Sequence, residues 1–408
     1  MADIITQITS SGLCHGCGAC AAAVGNGKVT MSMSDAGYLR PVTTQPLNGA
    51  DEAVVKAVCG GDKMVQSRSP DVFYDRDWGP IVSLETGYST DPEIRYRGSS
   101  GGVISAVVAY LLETGQVDFV LQTAADLNDP IGNSTRASDN RDEVIIAAGS
   151  RYTPSSPLAD LELHLQKGKS FAFVGKPCDV ASLRRMALRD PRIDQLIPYK
   201  LAFFCAGIPS RKGAQKVLEA LGVAENEVVE FAYRGRGWPG LARAVRRDGS
   251  EESMDYNASW GTILNRHLQF RCKICVEGTG EFSDITCADA WYGKDGYPDF
   301  AERDGRSLIV ARTLAGRALL DAMKSAGKLA SEPLHRDEVA RMQPYQYDRK
   351  RAVLARTLAT RLRFRRSAKY SGFGLLKLSL ETLRSRPMWL LRQLLGTFKR
   401  IGFSAPID

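Results

Sequence analysis

The chain has 408 residues, of which 44% are apolar and 25% charged, ordinary proportions for a soluble globular protein with room for two or three domains. No apolar run reaches the ~18 residues of a membrane span, and "MADIITQITSSG" lacks the basic start and apolar core of a secretory leader, so a cytoplasmic protein is expected. The net charge of +8 sits in residues 349–400, which carry 15 Lys and Arg against the single acid Glu381. This tail lacks the interleaved aromatic residues of a stacking platform, which argues against a nucleic-acid binder.

Three of the nine cysteines come first. "LCHGCGAC" spaces Cys14, Cys17 and Cys20 at three-residue intervals. In a reducing compartment such clusters hold metal or do redox chemistry rather than form a disulfide scaffold. Three thiolates at C-x-x-C-x-x-C wrap one face of a 4Fe–4S cluster and take a fourth ligand from a distance. Gly16, Gly18 and Ala19 let backbone amides approach the sulfurs. Zinc, which more often uses separated ligand pairs, is the alternative. Cys59 in "VCGGD" is the natural fourth ligand, although Gly60 stands where ferredoxin-like motifs often place proline. His15 reads as a surface residue. Residues 1–62 are thus expected to form an iron–sulfur head, followed by a polar linker, "QSRSPDVFYDRDWGP".

Helices and strands then alternate over residues 81–354. A glycine-rich "GSSGG" opens the helix "VISAVVAYLLETG", which Gly115 closes. "VDFVLQTA" is a strand, and "SFAFVGKPC" a buried strand running into the helix "DVASLRRMAL". "YKLAFFCAGIPS" is a strand with its turn, "RKGAQKVLEALG" a helix, and "SLIVART" a strand before the helix "GRALLDAMKSAG". This alternation predicts an α/β core with mixed or parallel pairing. Cys178 and Cys205 each end a predicted strand, the side of such a sheet where ligands bind, and "FRCKIC" adds Cys272 and Cys275. The four either hold a second cluster or include two inert buried thiols. Cys287 is left over as a buried thiol. Residues 355–408 read as basic amphipathic helices broken at Pro387. Their leucines pack on the body or another subunit, or lie on a membrane surface.

Six ordered blocks resemble one family: "YRGSSGGVISAVVAYLLETG", "VGKPCDVASLRRM", "FFCAGIPS", "YRGRGWPG", "CKICVEGTGEFSDITCADAW" and "GRSLIVART". Over roughly residues 10–315 the chain is similar to the beta subunit of coenzyme F-420 hydrogenase/dehydrogenase. Relatives of that subunit include the 7-hydroxymethyl chlorophyll a reductases and the ferredoxin-dependent divinyl chlorophyllide 8-vinyl reductases. The resemblance implies a flavin-binding α/β core, FAD, and one or two 4Fe–4S clusters, the second on Cys178, Cys205, Cys272 and Cys275. It implies electrons passing from ferredoxin or coenzyme F-420 through the clusters to FAD, and hydride transfer to a small or planar organic substrate. An F-420-dependent electron-transfer subunit, a chlorophyll-pigment reductase and a member linked to surface-polysaccharide synthesis are the alternatives. Ser99, Ser100, Gly101 and Gly102 are the expected diphosphate cradle, where helix-start amides suit an anion. Ser150, Arg151, Tyr152 and Ser155 form a second expected flavin loop. Lys176 is expected beside the flavin ring, with Arg234, Arg236 and Trp238 on a third loop. No residue stands out as a catalytic acid, and the oligomeric state stays open.

Overall fold

The structure, a computed structural model, describes residues 3–294, 297–363 and 365–401. Its centre is one sheet of eight strands: β1 Ser83–Ser89, β2 Phe119–Ala125, β3 Asn133–Ser138, β4 Phe171–Gly175, β5 Lys200–Phe203, β6 Ile285–Asp289, β7 Ser307–Ala311 and β8 Leu329–Pro333. The order across the sheet is β8-β1-β7-β6-β5-β4-β2-β3. Strands β2, β4, β5 and β6 run parallel, and antiparallel pairs complete both sides. The runs "FAFVG" and "SLIVA" are apolar almost throughout because β4 and β7 are covered on both faces.

Two helices place the candidate site. Helix α1, Val103–Glu113, buries Val103, Val107 and Leu111 against the sheet. Gly102 caps it at φ +70, and a Cβ there would lie 2.5 Å from the Ile94 carbonyl oxygen, so only glycine fits. Helix α2, Pro177–Ala187, follows β4 directly. Pro177 suits its first turn, where no N–H partner is needed, and the Asp179 carboxylate accepts from the Lys176 N–H at 3.0 Å.

The expected domain limits meet three structural departures. The head consists of helices Ile4–Ser10, Ala19–Val24 and Gly49–Val58 with the hairpin Val29–Met33/Leu39–Thr43. It shares a core with the sheet: Cys17, Ala19 and Val58 pack in one apolar cluster with Phe119, Phe171 and Leu183. The stretch read as a linker is itself paired. Strand Phe73–Asp75 binds Gly79–Ile81, and the preceding strand Lys63–Val65 lies parallel to Lys369–Ser371 of the tail. Helix α3, Pro344–Leu362, runs straight through residues 354 and 355. Helices α4, Leu375–Ser385, and α5, Pro387–Arg400, follow it, broken at Pro387 as the sequence predicts. No helix among the described residues is long and apolar enough to cross a membrane.

Candidate redox site

The first quartet lies in the head. Cys14 and Cys17 come from the loop entering helix Ala19–Val24, Cys20 from the first turn of that helix, and Cys59 caps helix Gly49–Val58. All four line one cavity of about 30 Å³ with Ile5, Ile8, Met31 and Val55. The Gly16 N–H donates to Cys14 Sγ at 3.4 Å and the Ala19 N–H to Cys17 Sγ at 3.5 Å. Gly18, at φ +85, has Ala159 N only 2.6 Å from where a Cβ would stand. Burial pushes the Cys17, Cys20 and Cys59 thiols up, and the other sulfurs of the quartet raise Cys20 further. Four thiols lining one cavity, two of them buried and two half-buried, suit a metal core, whose positive charge deprotonates its ligands.

The second quartet forms where the parallel strands end. Cys178 stands on the first turn of α2 beyond β4, and Cys205 follows the neighbouring strand β5. Cys272 and Cys275 come from the short helix Phe270–Lys273 and its exit. The Ile208 N–H donates to Cys272 Sγ at 3.3 Å, and Gln269 Nε2 does so at 3.6 Å. The Cys205 thiol is pushed up to about 12 by burial and then by Cys272. Burial likewise raises Cys178, with Asp179 adding to it and Lys176 opposing it; Cys205 and Cys275 also act on that sulfur.

Two buried guanidinium groups border this quartet. Arg271 precedes Cys272, and Arg349 on α3 donates Nη1 to the Cys205 carbonyl at 2.8 Å. Among the described residues, Arg271 Nη1 and Arg349 Nε find no acceptor. Buried cations with unused donors are costly unless a negative charge answers them. An iron–sulfur cluster on four thiolates carries that charge, so the donor set and its surroundings fit the group.

Contacts between the quartets bring them together. Cys17 Sγ lies 3.7 Å from Ser182 Oγ on α2, and the same hydroxyl lies 3.4 Å from His15 Nε2. The donor atoms of His15, Cys178 and Asp179 lie within 4.8 Å of one another. His15 is therefore not a surface residue: it is 6% exposed. Burial, then the charges of Arg271, Lys176 and Arg40, hold its imidazole well below the usual value. Close packing also explains Gly60, since a Cβ there would stand 2.8 Å from Ser182 Oγ. Arg271 bridges the two sites by donating to the Gly61 and Gly60 carbonyls at 3.1 and 3.2 Å.

The residues expected to hold flavin divide into groups. Arg234 gathers several of them. It pairs with both oxygens of Asp289, at the end of β6, at 2.8 and 3.0 Å, and donates to Tyr152 Oη at 3.3 Å and to the Ser99 carbonyl at 2.5 Å. Trp238 Nε1 also donates to Asp289, at 2.7 Å, and its ring stacks on Trp291 with centroids 4.8 Å apart. Ser99 Oγ is buried with no partner among the described residues, while the first-turn amides of α1 have no intrahelical acceptors. These features fit a bound diphosphate. Ser100 Oγ instead donates to the Ala288 and Arg306 carbonyls, and the Gly101 N–H to Ser307 Oγ at 3.0 Å.

Lys176 and Ser155 form a second, buried group. Lys176 Nζ donates to Ser155 Oγ at 2.8 Å and pairs with Asp179 at 2.7 Å. Burial works against its charge, but Asp179 and the sulfurs of Cys178 and Cys205 outweigh it and keep the lysine protonated. Arg151 is tied into the wall by Asn133 Oδ1 and the carbonyls of Phe231, Pro130 and Gly132. Arg236 turns outward to Glu230 at 2.8 Å. Ser150 is half-buried beside Gly149, which packs under the Arg234 carbonyl. Sequence reasoning missed Asp289, Ser182, Arg271 and Arg349. The placement of Arg271 directly before "CKIC" was the one local signal available.

Residues 85–162 match the family model described as coenzyme F420 hydrogenase/dehydrogenase, beta subunit N-term, and residues 168–337 match the model for the C terminus of the same beta subunit. The chain is 28% identical over 276 residues to the coenzyme F420 hydrogenase subunit beta of Methanococcus voltae, covering 62% of this chain and 86% of that one. It is 21% identical over 388 residues to the coenzyme F420-dependent sulfite reductase of Methanocaldococcus jannaschii, covering 91% of this chain and 55% of the relative. Among solved structures, a chain of the F420-reducing [NiFe] hydrogenase complex from Methanosarcina barkeri shares the fold. It aligns with a TM-score of 0.55 at 20% identity, over 70% of this chain and 96% of that one.

Proposed function

The chain belongs to the coenzyme F420 hydrogenase/dehydrogenase beta-subunit family, and on that premise we propose that it is the electron-transfer subunit of an F420-linked oxidoreductase, working with FAD and two 4Fe–4S clusters. Its oxidoreductase class follows from the family; the cofactors, the F420 partner and a catalytic partner subunit are our reading. Clusters of this kind supply one-electron steps and FAD couples them to two-electron transfer. Cys14, Cys17, Cys20 and Cys59 would hold one cluster, and Cys178, Cys205, Cys272 and Cys275 the other. The carrying observation is that Cys178, two residues from Lys176, and Cys205 follow adjacent parallel strands while Cys272 and Cys275 act electrostatically on Cys205.

The chain's own groups have separable tasks in this reading. Ser99 and the first turn of α1 bind the diphosphate, with Gly101 and Gly102 allowing the close turn. Arg234, fixed by Asp289, sets the positions of Ser99 and Tyr152. Lys176, held by Ser155 and Asp179, would supply a cation beside the flavin ring. Ser182 links the quartets, its hydroxyl lying 3.7 Å from Cys17 Sγ and 3.4 Å from His15 Nε2.

The test is anaerobic purification with a visible spectrum, an iron count and a flavin assay, followed by mixing with reduced F420 or reduced ferredoxin. About eight iron atoms and one FAD per chain are expected from the ligand count, with bleaching by reduced F420. Bleaching by ferredoxin alone would replace the F420 assignment, and a colourless zinc protein would remove the reading altogether.

A further inference from the structure

Helices α4 and α5 each turn one side to the body and one to solvent. Leu378 and Thr382 of α4 and Leu390 and Thr397 of α5 are buried. Leu376, Leu380 and Leu383 follow i, i+4, i+7 spacing, and Met388, Leu391 and Leu395 follow i, i+3, i+7 spacing, so each set forms one stripe along its helix. These six side chains are between 45% and 66% exposed. Isolated exposed leucines need no explanation, but two successive stripes mark an interaction face.

The charge around the stripes is of one sign. Lys377, Arg384, Arg392, Lys399 and Arg400 are exposed on the same two helices. The only acid of the segment, Glu381, is occupied by Arg76 at 2.8 Å. A cleft of about 740 Å³ beside Leu376 adds Arg68 and Arg361 to this rim. A second copy of the same face would bring like charges together, which disfavours self-pairing.

We propose that the outer face of α4 and α5 docks on the surface of an anionic phospholipid bilayer. Its leucines enter the acyl boundary and its cations meet the headgroups, as interfacial helices do. Neither helix spans the bilayer; the contact is peripheral and reversible, and it needs apolar burial and charge together.

The experiment is flotation of the full-length, cofactor-loaded protein with vesicles of phosphatidylglycerol and phosphatidylcholine in equal parts, against vesicles of phosphatidylcholine alone. Wild-type protein should float with the anionic vesicles at low salt, stay down with neutral ones, and be released by salt. Leu380→Glu with Leu391→Glu should weaken binding at least tenfold. Arg384→Gln with Arg392→Gln should weaken it by roughly 25-fold, about fivefold for each cation near the surface. Both pairs lie at exposed positions, so unchanged circular dichroism and thermal midpoint confirm the fold. Wild-type protein that remains at the bottom at low salt overturns the proposal. So does a leucine variant that floats like wild type, or a concentration-dependent dimer that the leucine variant abolishes.

Discussion

Arg349 Nη1 donates to the carbonyl of Cys205 at 2.8 Å, and this bond joins a helix beyond the family-matched residues to a cysteine within them. Arg349 is buried, acts electrostatically on Cys205, Cys272 and Cys275, and has an ion pair with no acid among the described residues. On the proposed assignment of a cluster to Cys178, Cys205, Cys272 and Cys275, replacing it with an apolar residue should therefore make that second cluster harder to reduce. For Arg349→Met the expected change is a fall on the order of 50 mV in the potential of that cluster, the one-electron equivalent of ~1 kcal/mol of lost attraction. The first cluster should stay within a fraction of that value, and Arg349→Lys should restore most of the loss. Redox titration followed by electron paramagnetic resonance reads both clusters; equal shifts in the two would mean that Arg349 acts through the fold.

The cradle loop separates a binding role from a packing role. Ser99 Oγ has no protein partner among the described residues, so Ser99→Ala should leave stability unchanged and weaken FAD about fivefold, the value of a ~1 kcal/mol hydrogen bond. A Cβ on Gly101 would stand 2.6 Å from the Gly87 carbonyl oxygen and 2.8 Å from Ser307 N. Gly101→Ala should thus cost about 1–3 kcal/mol of stability through overpacking. Equilibrium dialysis with FAD and urea unfolding distinguish the two. A Ser99 variant that binds FAD normally would place the diphosphate elsewhere.

Lys176 and Asp179 are a buried pair 2.7 Å apart. Breaking such a pair from one side strands a charge and costs about 3–5 kcal/mol. Lys176→Met should show that loss in urea unfolding. Adding Asp179→Asn removes the stranded carboxylate while keeping an acceptor for the Lys176 N–H, so the double variant should recover at least half of it. Additive losses would show that the two side chains are not coupled.

His164 packs against Phe119 and Phe171 with ring centroids 5.8 and 6.3 Å apart. Burial, followed by the nearby Lys167 charge, lowers its imidazole below the usual 6.5. Between the folded value and 6.5 the unfolded chain binds more protons, so this stability is present above 6.5 and lost as pH falls. His164→Phe keeps the stacking and removes the titration. Its thermal midpoint should fall less steeply than that of wild type between about pH 7 and pH 5; parallel curves would assign the acid sensitivity to other groups.

Strands β2, β4, β5 and β7 were readable because continuous apolar runs mark strands, and glycine and proline mark their ends; β1, β3, β6 and β8, with shorter or more polar runs, were not. Those same runs placed Cys178 and Cys205 each at the end of a strand; that the two strands lie side by side comes from the structure. Partner choice was not readable. Nothing in "SLETGYS" or "LASEP" says that these strands lie side by side, because register is settled by packing across long separations. The change in charge density near residue 354 is not a change of local structure: no breaker interrupts α3, which runs from Pro344 to Leu362. His15, a polar residue in a glycine-rich loop, carries no local sign of burial. Its burial comes from α2, which lies more than 160 residues along the chain, as the separation of His15 and Ser182 shows.

The position of β1 bears on how the chain acquires its form during synthesis. β1 is complete at Ser89, yet both its neighbours, β7 from Ser307 and β8 from Leu329, emerge far later. Through most of translation its two edges have no partner, a state that invites pairing with other chains. All eight cysteines of the two quartets leave the ribosome before either neighbour does. Thiols would thus be accessible to iron delivery, and to oxidation, before the sheet can close around the second quartet. A nascent chain halted ahead of β7 is accordingly the form in which oxygen exposure and aggregation converge, and slow closure of such distant contacts lengthens that interval.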